Sequence, residues 1–485
     1  MENQTVRTRF APSPTGFMHV GNLRTALYEY LIAKSQGGTF VLRIEDTDQE
    51  RFVEGATDVI YHTLQQVGLQ HDEGPDIGGE YGPYVQSKRK DIYLPYAQQL
   101  IKEGKAYYCF CSKERLASLH DENGLGGYDR HCRDLPQEEV DKLLQSGTPW
   151  VIRQKMPIEG STTFTDSVFG DITIENNELE DQILIKSDGY PTYNFANVID
   201  DHLMHITHVV RGCEYLTSTP KYNLLYEAFD WEVPTYVHLP LIMGRNADGS
   251  TSKLSKRHGS TGFEDLVKEG YLPEAIVNYI ALLGWAPKGT QELFTLNELA
   301  QNFNIEGISK SPAVFDYDKL TWMNGEYIKK MPQQEFIQKA MPYFCEVFGD
   351  AEKDWTILAD VLQPRVLKLP DIPEMIAFFK EIPDYGEDIF INKKSKANLE
   401  NAPVMLEAAI ADLEALTDWS VASLHENLLN LAKKLEVKNG VLLWPVRVAA
   451  AGQTVTPGGA MEILSLLGKK ESLHRLQAGL DKLKK

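Results

Sequence analysis

His19, Lys253 and Lys256 are the side chains of this sequence best suited to phosphate chemistry. His19 stands in "FAPSPTGFMHVGNLRTAL" (10–27), where two prolines and two glycines lead into a run of helical spacing. Pro12 and Pro14 hold Ala11 and Ser13 out of helical geometry. Gly16 permits the positive φ of a turn. Gly21 leaves the helix mouth without a side chain, so that a ligand could reach the backbone there. The helix that follows points free N–H groups and its positive dipole end into the same space. An anionic or nucleotide ligand suits such a mouth, and His19 could donate to phosphate oxygens. A Pro/Gly turn carrying a surface histidine accounts for the same residues without a ligand.

"KLSKR" (253–257) follows the loop-forming stretch "GRNADGSTS" (244–252). Two lysines three residues apart, flanking a serine on a mobile loop, could close on a triphosphate and stabilise charge on a departing pyrophosphate. The alternative is a solvated basic loop. Neither G-x-x-x-x-G-K-[ST] nor G-x-G-x-x-G occurs, so the two common nucleotide loops are absent.

The elements that must position these groups alternate. "VRTRFA" (6–11) reads as a strand. Leu23, Leu27, Tyr30 and Leu31 keep helical spacing up to Gly37-Gly38, and "TFVLRIED" (39–46) reads as a second strand. Strand, helix, strand is a βαβ unit and implies a parallel sheet, with ligands at the carboxyl ends of its strands. Residues 87–191 differ in texture, with three cysteines, a Gly-rich turn at 124–127, and β-branched segments around Val151 and Ile172; they read as an insertion. Strand-like segments return at "HITHVVRG" (205–212) and "TYVHLPLIM" (235–243). Beyond Leu266 the chain reads as helical, and Pro332, Pro342, Pro364, Pro370, Pro373 and Pro383 divide it into short pieces.

The 485 residues, 42% hydrophobic and 24% charged, suit a globular chain of two to five domains. The polar start does not resemble a signal peptide, and no run of 18 apolar residues suggests a membrane span. Five cysteines do not suggest a secreted disulfide framework. The expectation is a reduced, cytoplasmic protein. A net charge of −20 argues against nucleic-acid binding only on average, because binding follows the local field.

Together the motifs carry a resemblance. "HVGN" (19–22) and "KLSKR" resemble the HIGH and KMSKS motifs of class I aminoacyl-tRNA synthetases. "RFAPSPTGFMHVGNLRTAL" (9–27), "RIEDTD" (43–48), "SDGYPTYNFANVIDDHLM" (187–204) and "FDYDKLTWMNGEYI" (315–328) resemble the bacterial glutamyl-tRNA synthetases, in order and over essentially the whole chain. The resemblance implies an α/β fold: a Rossmann-type parallel-sheet catalytic domain with an inserted α+β domain, then an all-α anticodon-binding region. The domains expected are catalytic at 1–86 and 192–245, acceptor-binding at 87–191, stem-contacting at 246–328, and two helical anticodon-binding domains at 329–385 and 386–485. It also implies a two-step reaction, with glutamate activated by ATP and Mg²⁺ and then passed to the terminal ribose of tRNA(Glu). His19, Gly21, Asn22 and Lys256 would contact ATP, and Lys253 and Ser255 would hold the loop.

Glutamate carries two carboxylates and one ammonium, so its pocket needs two cationic anchors and one acidic anchor. Arg9, Glu45 and Arg211 lie near strand ends that could face one crevice, and guanidinium matches carboxylate bidentately. Tyr193 and Asn197 would add neutral hydrogen bonds. These five and Ser13 match positions the family uses for glutamate. An ordinary salt-bridge cluster is the other reading of Arg9, Glu45 and Arg211.

Cys109, Cys111 and Cys132 could hold tetrahedral zinc. Some family members do so with a C-x-C…C-x-H pattern; here Asp134 replaces the histidine, with His131 adjacent as an alternative fourth ligand. Three free thiols are the other reading, and Cys213 and Cys345 read as packing residues. Basic clusters at Lys329-Lys330, at Lys393, Lys394 and Lys396, and at the C-terminus are solvated helix faces or RNA contacts. By the resemblance, Arg365 would read the last anticodon base, favouring strict use of tRNA(Glu) over relaxed charging of tRNA(Gln), and Thr456, Pro457 and Gly458 would lie near the anticodon. The family also implies a monomer. Competing readings are a glutaminyl enzyme, a short glutamyl enzyme that modifies a tRNA base, a nucleotidylyltransferase, and a non-catalytic RNA-binding module.

Overall fold

The segment RTRF buries three consecutive residues, Thr8, Arg9 and Phe10, so the strand Arg7–Phe10 is covered on both faces even though it carries a charge. It pairs in parallel with Thr39–Leu42, Arg7 opposite Thr39 and Phe10 opposite Leu42. The helix Val20–Ser35 connects the two strands, capped at its start by His19. Gly37 takes φ 64° to leave the helix. Gly38 lies so close to the Val6 carbonyl that a Cβ would overlap it. The computed structural model describes residues 5–14, 16–48, 53–119 and 127–484. Part of the expected Gly-rich turn, 124–126, falls outside them.

The described chain divides into two compact units, Met1–Lys268 with Pro273–Asp316, and Glu269–Leu272 with Tyr317–Lys485. In the first unit, His208–Gly212 pairs in parallel with Thr235–Leu239. Thr207 N–H donates to the Arg7 carbonyl at 3.0 Å, which sets this pair beside the first. Phe10, Leu42, Gly212 and Leu239 therefore end on the same edge. The hairpin Ser161–Asp166 and Gly170–Glu175 falls within the span read as an insertion, yet Asp166 pairs with Tyr236 of the parallel sheet. A separate antiparallel sheet joins Ala106–Cys109, Val151–Gln154 and Ile183–Ile185. A third, small sheet of Ile242–Arg245, Thr251–Lys253 and Ala313–Val314 carries the KLSKR segment.

Helices dominate the second unit. Gln333–Phe348 runs through Pro342, contrary to the expectation that this proline would end a segment. Its buried face of Phe336, Ile337, Ala340, Phe344 and Val347 outweighs one missing hydrogen bond. Helices Ala402–Ala415, Asn439–Ala451 and Lys469–Leu483 pack on one another. Arg475 is buried among them, donating to the carbonyls of Phe378, Phe379 and Ala450. Among the described residues no helix is long and apolar enough to cross a membrane.

Candidate functional site

A cleft of about 500 Å³ opens where the parallel strands end, bordered by the segments after Phe10, Gly212 and Leu239. His19, Gly21, Asn22 and Lys253 line it. His19 Nδ1 accepts the Gly21 N–H at 3.0 Å. Burial, and then the charge of Lys253, lower the histidine's pKa, so the ring is neutral near pH 7. A neutral imidazole with an accepting Nδ1 carries its proton on Nε2, which remains a donor.

The KLSKR segment is tied to this mouth. Val20 N–H donates to the Thr261 carbonyl at 2.8 Å, and Phe263 N–H to the Met18 carbonyl at 3.0 Å. His258 staples the loop from within: its Nδ1 accepts the Ser255 N–H at 3.1 Å and its Nε2 lies 2.9 Å from Asn246 Oδ1. Gly244 is required beneath that ring, because a Cβ there would overlap it. Lys256 is exposed, with Nζ 5.9 Å from the ring centre of Phe17, which stands two residues before His19.

Arg9, Ser13, Glu45, Tyr193 and Arg211 line the same cleft. The two arginines differ. Arg9 is already balanced, with Nε 3.0 Å from Asp201 and Nη1 3.2 Å from Glu29. Arg43 shares Asp201 and also pairs with Glu45 at 2.9 Å. Burial works against the charge of Asp201, but Arg9 and Arg43 outweigh it and hold the carboxyl below its usual range. Glu45 is pushed up by burial, against the pull of Arg43. Arg211, by contrast, has no carboxylate partner among the described residues. Its guanidinium lies 5.2, 4.5 and 5.4 Å from the rings of Tyr215, Tyr222 and Tyr236. Burial keeps the Tyr193 phenol protonated. Asn197, one helical turn further on, is buried with its amide nitrogen unpaired among the described residues.

Nine of the predicted residues thus meet in one cleft. Asn197, Ser255 and Lys256 stand outside its lining, the last two on the stapled loop. Sequence reasoning missed Arg24 and Glu214, which also line it. Arg24 is buried and donates to the carbonyls of Leu283 and Pro240. Glu214 sits just past a strand's carboxyl end, a position that could have been searched. A Cβ on Gly212 would overlap its carboxylate.

The thiols of Cys109, Cys111 and Cys132 lie within 4.8 Å of one another. Sγ of Cys111 and Sγ of Cys132 are 3.6 Å apart. Zinc with Zn–S bonds of about 2.3 Å needs tetrahedral edges of about 3.8 Å. The structure does not bring Asp134 or His131 into this group. Asp134 is 79% exposed and pairs with Lys155 at 3.0 Å, turned outward by that lysine. His131 is exposed as well. An oxygen beside the thiols is the Tyr128 hydroxyl, 3.2 Å from Cys109 Sγ and 3.9 Å from Cys111 Sγ; the Phe110 N–H and Arg115 Nη1 also reach the sulfurs but can only donate. The Arg153 guanidinium lies 3.8 Å over that phenol ring. Burial, and then the contact with Cys109, push the phenol's pKa up, so it is a metal itself that must draw off the proton.

In the second unit, Arg365 is exposed and donates to the Val361 carbonyl at 2.7 Å. Gly458 faces the Val361 side chain, so Arg365 and the turn of Thr456, Pro457 and Gly458 share one neighbourhood.

Residues 5–322 match the family described as tRNA synthetases class I (E and Q), catalytic domain, and residues 335–480 match an anticodon binding domain. The chain is 58% identical to the glutamate–tRNA ligase of Clostridium novyi (strain NT), covering 100% of this chain and 99% of the relative. It is 55% identical to that of Clostridium tetani (strain Massachusetts / E88), with 100% and 99% covered. A crystal structure of a glutamate tRNA ligase from Elizabethkingia meningosepticum, in complex with its amino acid, superposes with a TM-score of 0.88 at 34% identity, covering 99% of this chain and 100% of that one.

Proposed function

The chain belongs to the class I tRNA synthetases (E and Q), and from that premise we propose that the cleft beside His19 is where it joins glutamate to ATP. The chain attaches glutamate to tRNA through an adenylate. One observation carries the assignment to this cleft: phosphate-type donors and carboxylate-type anchors line a single cavity.

A carboxylate oxygen of glutamate attacks the α-phosphorus of ATP. The bond from that phosphorus to the bridging oxygen of the β-phosphate breaks, and pyrophosphate leaves. The terminal ribose hydroxyl of tRNA then attacks the acyl carbon, AMP departs with the bonding pair, and the hydroxyl proton is released. No side chain forms a covalent intermediate. His19 Nε2–H, Lys253 and Lys256 stabilise phosphate charge, and Gly21 and Asn22 admit the nucleotide at the helix mouth. Mg²⁺ brought in with ATP screens the phosphates. Arg211 and Arg9 orient the carboxylates, Glu45 accepts from the ammonium, and Ser13, Tyr193 and Asn197 complete the fit. Ser255 holds the loop through His258. Glutamate-dependent ATP–pyrophosphate exchange, run with and without tRNA(Glu), tests the reading. Exchange is expected with tRNA present; none in either condition overturns it.

Zinc fits the three thiols, and we assign Tyr128 rather than Asp134 or His131 as the fourth ligand. With four protein ligands the metal is structural and takes no part in acyl transfer. Elemental analysis of untagged protein is expected to find near-stoichiometric zinc, lost in Cys132→Ala, reduced in Tyr128→Phe and unchanged in Asp134→Asn. Metal-free wild-type protein would remove the site. The neighbourhood of Arg365 and the 456–458 turn is the proposed anticodon contact, with Arg365 favouring tRNA(Glu) over tRNA(Gln). The proposed site of action is the cytoplasm, where tRNA, glutamate and ATP meet.

A further inference from the structure

We infer that Asp166 and His238 form a positioning pair that aims Arg211, and that His238 must stay neutral for glutamate to bind well. The inference rests on the reading of Arg211 as a carboxylate anchor. Arg211 Nε donates to His238 Nε2 at 3.1 Å. A guanidinium can only donate and does not lose its proton in proteins, so Nε2 must present its lone pair. The ring proton then sits on Nδ1, which donates to Asp166 Oδ2 at 2.7 Å. Asp166 is held in turn: its other oxygen accepts the N–H groups of Val168 and Phe169 at 2.9 and 2.8 Å. The His238 N–H also reaches Oδ2, at 3.0 Å. Both side chains of the pair are fully buried. A second point fixes the fork, because Arg211 Nη2 donates to Thr219 Oγ1 at 2.8 Å. With Nε and Nη2 held and three tyrosine rings around it, the guanidinium has one orientation in which to meet a ligand.

The groups facing the imidazole define its titration. Asp166 comes from the strand Ser161–Asp166, Arg211 from His208–Gly212, and Thr219 from the helix Thr219–Ala228; Glu214 acts from slightly further away. The rings of Phe164 and Tyr236 pack against it and carry no charge. Burial lowers the histidine's pKa, the Asp166 hydrogen bond opposes this, and the Arg211 charge adds to the lowering. A proton on Nε2 would set donor against donor and cation against cation, and Arg211 would be released. Acid therefore weakens glutamate binding through Arg211.

The test measures KM for glutamate and for ATP separately in aminoacylation, from pH 8 to pH 5, in wild type, His238→Leu, His238→Gln and Arg211→Ala. Circular dichroism confirms that each variant is folded. His238→Leu is expected to raise the glutamate KM by about 10- to 100-fold, since it leaves a buried donor of Arg211 unpaired, with the ATP KM within about twofold. His238→Gln, which can still accept from Arg211, should recover much of that loss. The wild-type glutamate KM should climb as the pH falls below the ordinary histidine range, and the climb should be absent from His238→Gln. Equal changes in both KM values, or the same acid dependence in His238→Gln, would overturn the inference. If His238→Leu does not fold, a flat wild-type glutamate KM down to pH 5 overturns it. If Arg211→Ala leaves the glutamate KM unchanged, the underlying reading of Arg211 fails instead.

Discussion

Arg211→Ala is expected to raise the KM for glutamate by roughly 10²- to 10³-fold in aminoacylation, with the KM for ATP nearly unchanged. Arg211 is only 6% exposed, so its charge has lost most of its water. No carboxylate among the described residues compensates it; a histidine lone pair, a threonine hydroxyl and three aromatic rings do so in part. Such a group gains most from an arriving carboxylate. Truncating one partner of a buried, hydrogen-bonded charge pair costs about 3–4 kcal/mol, which is the stated fold-change. Arg9 is the instructive contrast. It faces the same cleft but spends its charge on Asp201 and Glu29, so Arg9→Ala strips buried carboxylates of their cation and damages the fold together with the site. An Arg211→Ala enzyme with wild-type glutamate KM would remove Arg211 from the pocket.

Lys256→Ala is expected to lower kcat of the activation step by about 10²- to 10³-fold, with KM for glutamate and ATP within about twofold. The lysine is exposed, and its one described contact is the distant Phe17 ring. An exposed side chain without close partners contributes little to stability, so the loss should appear in the chemical step alone. Lys256 stands outside the cleft lining, and in the proposed reaction its ammonium meets charge on the departing pyrophosphate, which is greatest in the transition state. Single-turnover pyrophosphate release measures this directly. A proportional rise in the ATP KM at unchanged kcat would mean that Lys256 only grips the ground-state nucleotide.

The fold and the cleft were largely legible where sequence neighbours are also spatial neighbours. The first strand, the helix capped by His19 and the second strand follow from periodicity and Gly37-Gly38. The second strand is shorter than expected, ending at Leu42: Arg43 N–H still bonds Phe10 of the first strand, but Ile44 N–H turns to Tyr84. Arg43, Glu45 and Asp46 are buried there, which no pattern of apolar residues signals. The site residues that sequence reasoning found stand in motif strings or beside strand ends. Asp166 and His238 carry no such mark, since 72 residues separate them and only the sheet pairs them. Tyr128, the proposed fourth ligand, escaped notice for a different reason. Ligand spacing favoured Asp134, but Lys155 turns that carboxylate outward while the phenol points at the sulfurs.

The ties between the backbone around His19 and residues 261–263 bear on how the protein is born. The ribosome makes the first motif early and the second some 230 residues afterwards, a delay of about 10–50 s at roughly 5–20 residues per second. Until then the helix mouth lacks its bonds to residues 261 and 263, and the cleft has neither Lys253 nor Leu254 on its wall. Chains released early lack half of the proposed nucleotide site. Competence thus arrives late in synthesis, and abandoned fragments of the chain would not consume ATP.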